Sequence, residues 1–351
     1  MTKCKFHKDF RLNGYAFTNS KTLLTQVKKI DIDAYLFLKD WFSDNTDITV
    51  TTSGSTGKPK PITLQKEFMV NSAIATGSFF NLKEKTTALL CLSTNYIAGK
   101  MMLVRALTLG WHIDIVTPNA NPLKNIDKNY DFSAMVPLQL QNSLTDLYKI
   151  KKLIVGGGVV SSNLQKKIQE IPTLVFATYG MTETITHIAV KKLNHVSIKN
   201  SFYKLLPNIT IYKDTRNCLL IKAPKVTDAF IITNDVIELI SNNQFNWLGR
   251  FDNVINSGAV KLHPEKIEEK LSPIIHERFF VAGIKDEFLG EKLILLIEGT
   301  ERDINFTSVK SLSKYEVPKD IYFLNKFIET DTQKIQRKKT VSLIRRIDNT
   351  L

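Results

Sequence analysis

The segment Thr51-Thr52-Ser53-Gly54-Ser55-Thr56-Gly57-Lys58-Pro59-Lys60 packs glycines, hydroxyls and two cations into one short stretch. Each type suits one side of phosphate chemistry. Glycine lets backbone N–H groups approach phosphate oxygens, hydroxyls donate to them, and lysines neutralise their charge. The spacing is not that of a Walker-type loop, because two residues separate Gly54 from Gly57 and Pro59 follows Lys58. Taken alone, the string also suits a polar surface turn. Further on, Tyr179-Gly180-Met181-Thr182-Glu183 follows an apolar run and ends in a carboxylate, a hard oxygen ligand for a divalent cation. The same residues also suit a helix start. Asp235, Arg250 and Asp252 add charges that otherwise fit a surface ion pair. Near the C-terminus, Lys334 sits in a strongly basic stretch with Arg337, Lys338 and Lys339, which also reads as a solvated tail.

Taken together and in this order, the segments resemble the motifs of the adenylate-forming superfamily: acyl-CoA synthetases, nonribosomal adenylation domains and luciferases. The resemblance implies ATP-dependent activation of a carboxylate to an acyl-adenylate, followed by transfer to coenzyme A. It assigns Thr52, Ser53, Gly54, Ser55, Thr56, Gly57, Lys58 and Lys60 to the phosphate loop. It also implies that Tyr179 packs on the adenine beside Gly180 and Met181, that Thr182 contacts the α-phosphate, and that Glu183 helps hold Mg²⁺. Asp235 matches the ribose-binding Asp of a Thr-Gly-Asp segment. Asn234 stands where Gly is usual, and Asn tolerates the positive φ of a turn. Arg250 matches a second ribose contact, and Asp252 falls at the hinge. Asn256 to Glu268 resembles the loop that enters the site for thioester formation, with Gly258 beside the pantetheine and Ala259 replacing a second Gly. Pro264 and Glu265 make a good helix start. Lys334 matches the lysine that meets the attacking carboxylate and the α-phosphate, although Gln333 replaces a usual Gly.

The resemblance spans residues 51 to 337. Only a short region precedes the phosphate loop, as in compact members, including bacterial o-succinylbenzoate–CoA ligases of menaquinone synthesis. The segment from Leu92 to Met102 and the His187 that follows the Thr-Glu pair look like theirs. Such a substrate is an aromatic dicarboxylate, which needs a partly apolar pocket with a cation or donors for the carboxylate that does not react. Candidates are Lys100, Arg105, Gly156, Gly157, Gly158 and His187. Another aryl- or fatty-acid–CoA ligase or a stand-alone adenylation enzyme is the alternative. A non-catalytic nucleotide- or nucleic-acid-binding protein lies outside the class.

These segments need elements to carry them. A chain of 351 residues suggests two or three domains. After a helical stretch over residues 21–43, short β-branched runs from Ile48 to Phe176 alternate with further helical stretches, among them residues 64–80, 98–109 and 163–170. That pattern predicts an α/β fold with a parallel sheet. After about residue 200 the runs shorten and crowd, which suggests antiparallel pairing. The last hundred residues read as a small α+β domain, which the resemblance implies is mobile. The expected division is 1–251, binding ATP and the acid, and 252–351, hinged near Asp252. The net charge of +14 (48 − 34) favours anionic partners, but the lysines are spread along the whole chain, so no nucleic-acid surface is expected. Cys4, Cys91 and Cys218 are too far apart for a metal site and fit a reducing compartment. No stretch has a membrane span's apolar length. A cytoplasmic protein, open to homo-oligomerisation, is the expectation.

Overall fold

The computed structural model describes residues 6–51, 60–196, 201–330 and 335–348. Its centre is a thirteen-stranded mixed sheet. In one half, strands Leu174–Gly180, Ile150–Val155, Tyr130–Met135, Thr87–Leu90, His112–Ile115 and Arg11–Leu12 lie side by side and parallel. Along Thr87–Leu90, Ala88 and Leu90 enter one hydrophobic cluster while Leu89 enters another. Alternate side chains thus bury on opposite faces, as expected of a parallel sheet covered on both sides. Helices Lys66–Phe80 and Ile97–Leu109 cover one face. The second is apolar almost all round, with Met101 to Leu107 buried, which marks a helix inside the core.

The other half of the sheet is antiparallel and runs His187–Lys192, Tyr203–Leu205, Gln244–Arg250, Ile231–Ser241, Cys218–Lys222 and Thr210–Lys213. From Ile255 onward the strands pair in a separate sheet, with Asp320–Leu324 parallel to Gly290–Glu298. Helices Pro264–Leu271 and Arg337–Asp348 accompany it. This is the mixed α/β sheet with an antiparallel part, followed by an α+β unit, that the sequence predicts. Among the described residues, no helix is long and apolar enough to cross a membrane.

Several local expectations change. The helix expected over residues 21–43 is two helices, Ser20–Ile30 and Ile32–Trp41, broken at Asp31. Asp31 is extended, and its carboxylate caps the second helix by accepting from Ala34 N. Pro61–Gln65 is a strand that pairs antiparallel with Asp47–Thr51, so the helix expected from residue 64 begins at Lys66. Ala229 to Ile232 and Val236 to Ile240, which read from the sequence as two short strands, fall largely within one strand, Ile231–Ser241. Asn234 lies inside it and does not take the positive φ expected of a turn.

Candidate active site

The carboxyl ends of the parallel strands form the edge where ligands bind in open α/β sheets. Strand Leu174–Gly180 delivers Tyr179 there. The Tyr179 hydroxyl donates to Asp235 Oδ2 at 2.7 Å, and Trp247 Nε1 donates to Asp235 Oδ1 at 3.1 Å. Arg250 Nη1 lies 3.8 Å from the same oxygen, and its Nη2 bonds Asp252 at 3.0 Å. Three residues distant in sequence, Tyr179, Trp247 and Arg250, therefore share the one buried carboxylate of Asp235. Register explains the meeting. Asp235 pairs with Arg250, and a shift between Val236 and Ile237 re-aims the strand so that Trp247 also reaches Asp235. Burial, with Asp235 adjacent, holds the Tyr179 phenol protonated far above its ordinary range. Tyr179 also stands edge-on to Phe245 and Tyr203, at centroid distances of 5.3 and 5.9 Å. Asn234 joins this cluster through its side chain, donating to Asp252 and accepting from Arg216.

Beyond Tyr179 the chain turns sharply. A Cβ on Gly180 would lie 2.3 Å from Thr186 O, so only glycine fits there. Thr182–Thr184 is a 3₁₀ turn rather than an α-helix start. Thr186 N then bonds Thr184 O at 2.7 Å across Ile185, whose φ is 64° and ψ −59°. This is a γ-turn centred on a β-branched residue, a conformation that costs about 1–3 kcal/mol. The strained turn leaves Glu183 exposed and Thr182 half-exposed. Glu183 offers a single carboxylate, and among the described residues no cluster of three acidic, His or Cys groups surrounds it. A lone carboxylate suits Mg²⁺, which binds through one or two carboxylates plus phosphate oxygens and water. Glu183→Gln keeps size and shape but loses the charge. Half-saturation for Mg²⁺ is expected to rise by about ten- to a hundredfold, the worth of one charged contact, at unchanged melting temperature. An unaltered Mg²⁺ titration would reduce Glu183 to a turn residue.

Arg105 and His187 also meet. His187 pairs with Gly180 in the sheet. Arg105, only 1% exposed, donates through Nε to Thr76 Oγ1 at 3.3 Å and through Nη2 to Thr186 Oγ1 at 3.4 Å. Among the described residues no carboxylate pairs with it. Burial lowers its pKa to about 9, still charged at neutral pH. Burial and the neighbouring Arg105 push His187 well below its ordinary range, so it is neutral. His187 lines a cavity of about 260 Å³ with Thr184, Ser72, Ala75 and Leu206. Gly156 begins the turn after Ile150–Val155, where a Cβ would lie 2.6 Å from Thr178 Oγ1, and Gly157 has φ +78°. Lys100 does not join this group. Its ammonium donates to the carbonyls of Thr94 and Asn95 and lies over the Phe37 ring.

In the second sheet, Gly258 and Ala259, at φ 55° and 65°, form the two-residue turn between Ile255–Ser257 and Val260–Leu262. Both positive angles fit the primed hairpin turn, which makes Ala259 a strained residue where the usual Gly would not be. Arg337 makes a bidentate pair with Glu268, at 2.5 and 2.7 Å, and stacks over Phe280. Ile335 bridges to Glu329, and Gln336 N bonds Ile328 O at 2.7 Å. These contacts fix the chain just after Lys334. Lys334 itself, with Thr52, Ser53, Gly54, Ser55, Thr56, Gly57 and Lys58, lies outside the described residues. Lys60 closes that loop as an exposed residue before the strand Pro61–Gln65.

The sequence reading missed Trp247, Thr76 and Thr186. Trp247 gave no signal, because its place beside Asp235 depends on the strand shift. Thr76 gave none either, being one of several small polar residues in its helix, with Asn71, Ser72 and Ser78.

Known proteins carry the same architecture. The AMP-binding enzyme family model matches residues 42–215. A solved structure described as an acyl-CoA synthetase (AMP-forming)/AMP-acid ligase II-like protein from Dyadobacter fermentans is 38% identical. That match covers 92% of this chain and 97% of the other, with a TM-score of 0.62. A 2-succinylbenzoate–CoA ligase from Bacillus mycoides is 25% identical over 89% of this chain and 73% of its own length. The o-succinylbenzoate coenzyme A synthetase of Bacillus subtilis, solved with ATP and magnesium ion, superposes with a TM-score of 0.74. It is 18% identical over 92% of this chain and 82% of its own.

Proposed function

Because this chain belongs to the AMP-binding enzyme family, we propose that the acid it activates is an aromatic dicarboxylate, o-succinylbenzoate. The protein is an AMP-forming acid–CoA ligase that uses ATP, Mg²⁺ and coenzyme A. In the first step the acid's carboxylate attacks the α-phosphorus and pyrophosphate leaves. In the second, the thiol of coenzyme A attacks the acyl carbonyl and AMP leaves.

The observation that carries the substrate reading is Arg105. A buried guanidinium without a carboxylate partner is costly unless a ligand supplies the missing anion. A second carboxylate on the acid would do so, and the alternative fatty or aryl monoacids would not. The resemblance to 2-succinylbenzoate–CoA ligases supports the same choice. His187 and the turn Gly156, Gly157, Gly158 are assigned to the same pocket.

The nucleotide half falls to the Asp235 cluster. Each carboxylate oxygen accepts two hydrogen bonds. Asp235 Oδ2, with one donor, keeps a lone pair for a ribose hydroxyl, and Arg250 can turn to a second. Tyr179 and its aromatic neighbours offer a flat apolar wall for the base. Thr182 is assigned to the α-phosphate and Glu183 to Mg²⁺, which would offset the charge of the departing pyrophosphate. Pyrophosphate release from a panel of acids tests the substrate. o-Succinylbenzoate should exceed benzoate and fatty acids by orders of magnitude, and equal rates across the panel would remove the dicarboxylate assignment.

Two steps at one site call for two loops, that of Lys334 and that of Gly258. Both follow Asp252, so we assign the hinge to Asp252 and the units to residues 1–251 and 252–351. Asp252 sits in the short turn Phe251–Asn253, next to Gly249 at φ +140°. Proline there fixes φ near −65°. Asp252→Pro should keep adenylation if the frozen pose suits it and lose most CoA transfer. Asp252→Ala, which removes only the carboxylate, should retain more. Single-turnover pyrophosphate and acyl-CoA yields measure both, and equal loss in the two variants would place the hinge elsewhere.

A further inference from the structure

We propose that Thr76, Thr186 and His187 form a positioning frame that holds the Arg105 guanidinium through neutral groups, with His187 fixed as the Nε2–H tautomer. The inference rests on the assignment of Arg105 to the acid's second carboxylate.

Proton counting leads to the tautomer. Thr76 has one hydroxyl proton, and it goes to Ser72 O at 3.0 Å. Its oxygen must therefore accept from both remaining neighbours, Arg105 Nε at 3.3 Å and His187 Nε2 at 3.4 Å. His187 Nε2 then carries the ring proton, and Nδ1 is a bare acceptor. The Thr186 hydroxyl lies 3.4 Å from Nδ1 and donates to it. The Thr186 oxygen accepts from Arg105 Nη2, also at 3.4 Å. Every proton in the ring has a place, and no member but Arg105 is charged. Thr76 is fully buried, and His187 is only 5% exposed.

This choice of partners has a consequence. A carboxylate at either threonine position would neutralise Arg105 and compete with an incoming anion. Hydroxyls orient the guanidinium without cancelling its charge. They engage only Nε and one N–H of Nη2, leaving the Nη1 donors without a partner among the described residues. The bonds are long for N–H···O contacts, so the frame directs the fork without saturating it. Thr76 and Thr186 are positioning residues: they act on the substrate through Arg105.

Two measurements test this. The first is ¹⁵N NMR of the full-length protein labelled in its histidine rings, with the His187 signals identified by their loss in His187→Gln. A protonated Nε2 and a bare Nδ1 are expected, and a protonated Nδ1 overturns the frame. The second compares kcat/KM for o-succinylbenzoate with that for 4-oxo-4-phenylbutanoate, the matched acid lacking one carboxylate. Thr76→Val leaves Arg105 Nε and His187 Nε2 without their acceptor. It should lower the ratio by roughly ten- to a hundredfold, mainly through KM, and Thr76→Ser should restore it. A ratio unmoved by Thr76→Val overturns the positioning role. A parent enzyme that does not distinguish the two acids instead refutes the dicarboxylate reading, and the NMR result still decides the frame.

Discussion

Replacing Lys334 with alanine is expected to lower adenylate formation by roughly 10²–10³-fold, the ~3–4 kcal/mol worth of one preorganised electrostatic contact. A lysine suits the role because its ammonium is a compact charge on a long, rotatable stem. The three residues that follow are each held: Ile335 by its bridge to Glu329, Gln336 by its bond to Ile328 O, and Arg337 by its pair with Glu268. Lys338 and Lys339, by contrast, are exposed at the start of the last helix. Lys338→Ala should therefore be mild. Acyl-adenylate made beforehand should still pass to coenzyme A in Lys334→Ala, because the lysine is assigned to the first step alone. Pyrophosphate exchange at the parent rate in this variant would remove Lys334 from the chemistry.

The second large effect has two opposite signs. Arg105→Met replaces a buried, uncompensated cation with an apolar side chain of similar length. The depressed pKa of Arg105 already means that the fold disfavours its charged form. Exchanges of buried charge for apolar side chains are neutral or stabilising by about 1–4 kcal/mol, so the midpoint of urea unfolding should rise. Activity should fall. Losing one side of a buried charge pair costs about 2–5 kcal/mol, roughly 30- to several thousandfold in kcat/KM, seen here with o-succinylbenzoate. A residue kept for stability alone would show the reverse, a lower midpoint with little change in selectivity. Greater stability with lost dicarboxylate selectivity is the expected mark of a site that trades one for the other.

The two halves of the sheet were not equally legible in the sequence. The parallel half announced itself where a strand buried on both faces is a continuous apolar run and the helix that follows it is long. Thr87–Leu90 and Ile97–Leu109 were visible for that reason. The strand Tyr130–Met135 was not, since Asp131 and Ser133 interrupt its apolar run while pairing with Thr87 and Leu89 O. Ile231–Ser241 read as two strands because Thr233, Asn234 and Asp235 look like a turn. Those side chains instead bond Leu219 O, Asp252 and Tyr179 and keep the strand extended. Motif residues were legible as types, but their partners were not. Nothing local links Tyr179 to Asp235 or Thr76 to Arg105. These pairs exist because strand register and helix packing bring together residues distant in sequence.

The most direct test of the central claim is the nucleotide product. The full-length protein would be incubated with o-succinylbenzoate, coenzyme A, Mg²⁺ and ATP labelled at the α-phosphate, and AMP, pyrophosphate and thioester would be counted together. The account predicts AMP, pyrophosphate and o-succinylbenzoyl-CoA in equal amounts, with pyrophosphate appearing before thioester in a single turnover. Labelled ADP in place of AMP, or AMP formed with no thioester, would contradict it.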